Sequence, residues 1–263
     1  MGKVATIDNW DSNAYNIGSY MQNYCVNQIL TEYIFDDRLQ ILDLGCGDGK
    51  STNNILNYTP TAKILGIDRS PEMIASARKN YSSNAISFTE QDIACLNSHE
   101  TFNLVVSFFC LDWIKDQESL QQRIYRALKA YGKILYIIST GNDDVAKIVE
   151  NIAKNSKWAS YLANHKIPAG LHHTEDYRKF IQQAGFTVDS LEVRQIPVEL
   201  PNIDSFYQFI AALPLFGDVL TQKQNDEIAK DITDAFQKHC EKKYDGKLIC
   251  VGEMIVAQAN KTQ

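Results

Sequence analysis

Ile41-Leu42-Asp43-Leu44-Gly45-Cys46-Gly47-Asp48-Gly49 is the stretch that decides how this chain folds. An apolar run ends in an acid and then in glycines at alternate positions. The pattern predicts a strand that breaks into a tight turn almost bare of side chains. Glycine permits positive φ and lets a ligand approach the backbone closely. A helix is expected straight after the turn, and its first amide N–H groups lack intrahelical partners, so they point at whatever the turn holds. The stretch reads as a cradle for a nucleotide-type ligand. A dinucleotide fingerprint starting from Gly45 needs glycine where Lys50 stands, and a phosphate-binding P-loop ending at Gly49-Lys50-Ser51 needs glycine where Leu44 stands. What remains is acid-x-Gly-x-Gly-x-Gly.

The residues downstream keep the same logic. Lys63-Ile64-Leu65-Gly66-Ile67-Asp68 reads as a second strand ending in a carboxylate, roughly 20 residues past the glycines, the spacing at which an acid grips ribose hydroxyls in doubly wound folds. A carboxylate accepts from both hydroxyls of a cis-diol. Ser70-Pro71-Glu72-Met73 opens a helix, with Ser70 as N-cap and Pro71 in the first turn. Ile86-Ser87-Phe88-Thr89 precedes Gln91-Asp92-Ile93, and Phe102-Asn103-Leu104-Val105-Val106-Ser107-Phe108-Phe109 is a near-continuous apolar run of the kind buried on both faces. In order and spacing these four blocks, covering about the first half of the chain, resemble class I S-adenosylmethionine-dependent methyltransferases. The resemblance implies an α/β fold with a doubly wound, mostly parallel seven-stranded sheet and a helical cap. It implies S-adenosyl-L-methionine as cofactor, held by Asp43, Gly45, Gly47, Gly49, Asp68 with its neighbour Arg69, Asp92 and Ile93 at the adenine, Ser107 at the end of the fourth strand, and Tyr15 as a cover. Asp68 also reads as a strand-end cap, Asp92 as an ordinary loop acid, and Tyr15 as a pin for an N-terminal helix.

Substrate choice lies outside these blocks, beyond the carboxyl ends of the strands. There the chain reads Ser107-Phe108-Phe109-Cys110-Leu111-Asp112-Trp113-Ile114, without the Pro-Pro-aromatic signature of enzymes that methylate adenine or glutamine nitrogen. It resembles instead the juvenile hormone acid and trans-aconitate methyltransferases, with Asp112 where that group commonly has histidine. Trp10-Asp11, Tyr15, Ser19-Tyr20-Met21-Gln22, Ser156-Lys157-Trp158 and the run 209–216 extend the likeness. It implies that Gln22 and Trp113 hydrogen-bond a substrate carboxylate, and so O-methylation of a small acid. Trp113 reads equally as core packing, and Gln22 as a solvated helix residue. A carboxylate is ionised at neutral pH and needs no base. A phenol, amine or carbon acceptor would want one, from Asp112, His172 or His173. A protein that binds the cofactor without transferring methyl is the reading from another class.

The chain has 263 residues, 44% apolar and 22% charged, with a net charge of −6. These are the values of an ordinary globule. The negative balance argues against a nucleic-acid partner, which calls for a basic face. No segment has the apolar length to cross a bilayer. Met1-Gly2-Lys3-Val4 lacks a signal-peptide core, and the scattered cysteines form no C-x-x-C pair, so a reducing cytoplasm is expected. Five histidines without ligand spacing predict no metal site.

Strands are expected at 40–44, 64–67, 86–89, 103–108 and 133–139, with helices at 49–58, 71–80 and 117–129. Alternation of this kind implies a parallel sheet with helices on both faces. Helix is expected over Val145 to Ala163 and Thr174 to Ala184, strand over Phe186 to Pro197, two or three helices from Pro201 to His239 broken at Pro214 and Gly217, and a closing strand over Leu248 to Ala257. The division expected is one methyltransferase domain over 1–263, with N-terminal lid helices in 1–35, the cofactor-binding half in 36–140 and a helical cap inserted at 198–245.

Overall fold

A computed structural model describes residues 19–163, 165, 172–216 and 219–262. Trp10, Asp11, Tyr15 and Gly217 lie outside them. In chain order the elements are α1 (Tyr20–Glu32), β1 (Gln40–Leu44), α2 (Lys50–Ile55), β2 (Lys63–Asp68), α3 (Pro71–Tyr81), β3 (Ile86–Glu90), β4 (Phe102–Phe108), α4 (Gln117–Ala127), β5 (Leu128–Ser139), α5 (Asp144–Ala153), α6 (Ala159–Leu162), α7 (Thr174–Gln183), β6 (Thr187–Glu199), α8 (Ile203–Ala212), α9 (Gln222–Tyr244) and β7 (Ile249–Asn260). The seven strands form one sheet in the order β3-β2-β1-β4-β5-β7-β6. The first five pair in parallel, and β7 runs antiparallel to β5. Strand order reverses at β1/β4, the crevice where doubly wound sheets bind ligands.

Two compact units make up the chain: Gln22–Gly141 with Ala169–Ile196 and Gly252–Gln263, and Met1–Met21 with Asn142–Pro168 and Pro197–Val251. In the first unit the core is mostly aliphatic, with Leu42, Leu44, Ile67, Val105, Leu111 and Ile134 all buried beside Tyr136. β1 is buried at every position after Gln40, so a near-continuous apolar run suits it. Ser70 caps α3, accepting from the Met73 N–H, and Pro71 follows at the first helical position. In the second unit α8 and α9 pack through stacked rings of Phe206 and Phe236, 3.8 Å between centroids. There Asp231 accepts from the Trp158 indole N–H and from Lys157 Nζ, each at 2.7 Å.

Several boundaries differ from the sequence reading, each for a local reason. The helix expected to 129 ends at Ala127, and β5 starts at once, with Leu128 paired to Phe102. The helix expected over Val145 to Ala163 stops at Ala153. Asn155 Oδ1 there accepts from the Lys157 and Trp158 amides, a side-chain turn that competes with helix. α9 runs past His239 to Tyr244, where Asp245 takes a left-handed cap conformation. At α7 the cap is His173, not Thr174: its N–H donates to the Asp176 carboxylate at 3.3 Å.

Candidate active site

The turn between β1 and α2 has all three glycines in the left-handed region, with φ of +72° at Gly45, +53° at Gly47 and +81° at Gly49. Gly45 and Cys46 donate to the Ile67 carbonyl at 2.8 and 3.0 Å, which docks the turn on the end of β2. Its other anchor is Asp68. One carboxylate oxygen accepts from the Gly47 N–H at 3.0 Å and the other from the Ser70 N–H at 2.9 Å. A Cβ on Gly45 would fall 2.1 Å from Cys110 Sγ, and one on Gly49 would fall 2.7 Å from the Phe88 ring. Neither position admits a side chain.

Beneath the turn Asp43 is almost wholly buried. Thr52 Oγ1 donates to its Oδ2 at 2.6 Å, and Oδ1 has no hydrogen-bond partner among the described residues. Burial pushes its pKa up to about 7; the Thr52 bond opposes this and the charge of Asp68 adds to it. Asp48 is a second buried acid in the turn that sequence reasoning passed over. Its Oδ1 accepts from the Lys50 N–H at 3.1 Å, Oδ2 has no partner among the described residues, and burial raises its pKa. The one signal for it was its place between two glycines.

Other expected cofactor contacts are placed as follows. Asp92 is exposed, and its carboxylate accepts from the Ala94 N–H at 2.8 Å, capping a single 3-10 turn that begins at the buried Ile93. Arg69 is exposed beside Asp68. Ser107 is fully buried, and its hydroxyl donates to the Leu44 carbonyl at 2.8 Å. That bond ties β4 to β1 under the turn.

β4 ends in a sharp bend. Phe109 sits at φ +54°, uncommon for a bulky side chain, and its N–H donates to Ile137 O at 2.7 Å. Cys110 then fills the space against Gly45, and Leu111–Trp113 make one 3-10 turn. Trp113 is half-buried there, and Gln22 is half-buried on α1. Asp112 is buried, its Oδ1 has no partner among the described residues, and burial raises its pKa to about 7. Tyr177 lies close enough for the Asp112 charge to add to the rise in its own pKa, which burial dominates. The His172 ring packs edge-on to Tyr177 and Phe180, with centroids 5.7 and 5.1 Å apart. The exposed His173 is a helix cap.

Comparison with known proteins agrees with this geometry. A methyltransferase domain model matches residues 35–185, more than half of the chain. The chain is 26% identical over 207 residues to juvenile hormone acid O-methyltransferase of Bombyx mori, covering 75% of this chain and 70% of that one. It is 31% identical over 140 residues to trans-aconitate 2-methyltransferase of Variovorax paradoxus, covering 52% of this chain and 53% of that one. Among solved structures, phosphoethanolamine N-methyltransferase 2 of Haemonchus contortus, in complex with S-adenosyl-L-methionine, superposes with a TM-score of 0.61 at 19% identity over 96% of this chain and 57% of that one. This chain belongs to the methyltransferase domain family and is an S-adenosylmethionine-dependent methyltransferase.

The residues present fit that cofactor. Three glycines without side chains leave room beside the backbone of the turn, Asp68 fixes that turn's shape, and the Asp43 oxygen with no partner among the described residues lies beneath it. When bound, the cofactor supplies an electrophilic methyl group on a charged sulfur. No helix among the described residues is long and apolar enough to cross a membrane.

Proposed function

We propose that the protein transfers methyl to a carboxylate oxygen of a small organic acid. The observation that carries this reading is the Cys110–Trp113 turn. Cys110 abuts Gly45 of the cofactor turn, and three residues on stands a half-buried tryptophan. An indole N–H is a donor only, and a bond from it to an ionised acceptor is worth about 1.5–3 kcal/mol. Gln22 is proposed as the second donor; Tyr15, proposed as a cofactor contact from sequence, lies outside the described residues. Asp43, the glycines, Asp68 with Arg69, Asp92 and Ile93 are proposed to hold the cofactor itself.

The chemistry asks little proton handling of the protein. A carboxylate arrives ionised, so the task is to hold one oxygen in line with the methyl group and exclude water. The acid nearest the turn, Asp112, is ill placed as a charged base, since burial favours its neutral form. Support also comes from the relatives in silkworm and Variovorax, which their names describe as acting on juvenile hormone acid and trans-aconitate.

The test is incubation with methyl-labelled cofactor and either trans-aconitate or a terpenoid acid such as juvenile hormone acid, followed by a pooled metabolite extract. Label in a base-labile product supports an ester. Label only in base-stable products moves the acceptor to a phenol, amine or carbon. Tight cofactor binding with no transfer to any acceptor supports a binding protein.

A further inference from the structure

Gln117 opens α4 directly after Asp116, whose carboxylate caps the helix by accepting from the Ser119 N–H at 3.1 Å. A glutamine in a first turn is ordinarily solvated, yet Gln117 is only 1% exposed. Its side-chain nitrogen donates to Leu111 O at 2.6 Å and to Ile114 O at 2.8 Å. Those carbonyls bracket Asp112 and Trp113. Both amide hydrogens are thereby used, and turning the amide over would set its oxygen against two carbonyl oxygens, so the bonds admit one orientation. Within the turn the Trp113 N–H donates to Cys110 O at 3.0 Å and the Ile114 N–H to Leu111 O at 3.1 Å. Such i→i+3 bonds have poorer geometry than those of an α-helix. The start of the turn is set against Gly45 by Cys110. Gln117 supplies the other fixed point.

We propose that Gln117 is a positioning residue: its amide fastens the Leu111–Ile114 turn to α4 and so sets where the Trp113 indole stands relative to the glycine turn. Gln121, one helical turn on, is also buried but serves a different partner, accepting from the Tyr136 hydroxyl at 3.0 Å. The two glutamines therefore separate two effects. Loss of either removes buried hydrogen bonding from α4, but the Gln117 bonds go to the turn and the Gln121 bond goes to Tyr136. The consequence for catalysis rests on the acid-holding role proposed for Trp113; the positional claim does not. If Trp113 does hold the acceptor, freeing the turn matters, because a misplacement of about 1 Å can cost on the order of 10²-fold in rate.

The test uses the full chain labelled with 5-fluorotryptophan, whose three tryptophans give three fluorine resonances, with that of Trp113 assigned by Trp113→Phe. Gln117→Met keeps the side-chain length and removes both donors. The Trp113 resonance should shift or broaden in Gln117→Met while the other two hold, and all three should hold in Gln121→Met. Calorimetry should show S-adenosylhomocysteine binding changed by less than about twofold in Gln117→Met. In the acid assay above, kcat/KM should fall at least about tenfold in Gln117→Met and stay near the parent value in Gln121→Met. If Gln117→Met does not fold, Gln117→Glu has the same shape, offers no donor when ionised and should move the same resonance. A moved Trp113 resonance with unchanged kinetics keeps the positioning claim and counts against the acid reading. An unmoved Trp113 resonance, or an equal shift in Gln121→Met, overturns the positioning claim.

Discussion

The Asp68 carboxylate accepts the Gly47 amide across 21 residues of chain, at 3.0 Å. One acid thus shapes the cofactor turn, and it is also the residue proposed to hold the ribose hydroxyls. Asp68→Ala removes both functions, and cofactor affinity should fall at least about tenfold, or about 1.4 kcal/mol. Asp68→Asn keeps one acceptor and should fall less. Calorimetric titration with S-adenosylmethionine decides it, and an unchanged dissociation constant would take Asp68 out of the site.

Gly45 carries two constraints at once, a φ of +72° and the Cys110 sulfur 2.1 Å from where a Cβ would stand. Gly45→Ala should cost about 3 kcal/mol in urea denaturation, from left-handed backbone strain and overpacking together. Gly45→Ala combined with Cys110→Gly should recover the overpacking share only. Full recovery would show that the backbone conformation costs nothing there.

Asp112 makes stability depend on pH in a direction opposite to most acids. Burial raises its pKa to about 7 in the folded protein, whereas an unfolded chain releases that proton near pH 4. Between those values the folded state holds more protons, so this group's contribution falls as pH rises, by at most about 1.4 kcal/mol per pH unit. Asp112→Asn should raise the melting temperature at pH 8 relative to the parent and change it little at pH 4. Equal effects at both pH values would show that the Asp112 pKa is not displaced.

Trp113→Phe keeps an aromatic ring and loses the donor. Turnover on an acid acceptor should drop while cofactor affinity holds, measured by labelled-methyl transfer and calorimetry on the same preparation. Equal turnover would remove the indole N–H from the acceptor's grip.

What the sequence made legible is the sheet and the floor of the site, because both leave one-dimensional marks. β1 to β4 are short apolar runs punctuated by glycine, proline and acids, and the structure places them within a residue or two of expectation. The start of β5 left no such mark. Leu128-Lys129-Ala130 suits a helix by propensity, and only pairing with Phe102 makes Leu128 a strand residue. The break after Ala153 depends on where the Asn155 side chain turns, a choice between two competing hydrogen bonds. Gln117 was invisible for a related reason. A glutamine at a helix start is unremarkable until the fold buries it against the carbonyls of a turn three to six residues upstream. At Ser107 the sequence shows a hydroxyl at a strand end, and only the fold shows that it ties β4 to β1.

Asp43 has a consequence for traffic through the site. A carboxyl group titrating near neutrality, with one oxygen unsatisfied under the turn, interacts more strongly with a sulfonium than with the uncharged thioether left after the methyl group departs. With the sulfonium standing over Asp43 as proposed, loading should expel a proton, and departure of the methyl group should let one return. Uptake of the charged cofactor should then strengthen as pH rises through neutrality and lose that dependence in Asp43→Asn, which calorimetry reads directly.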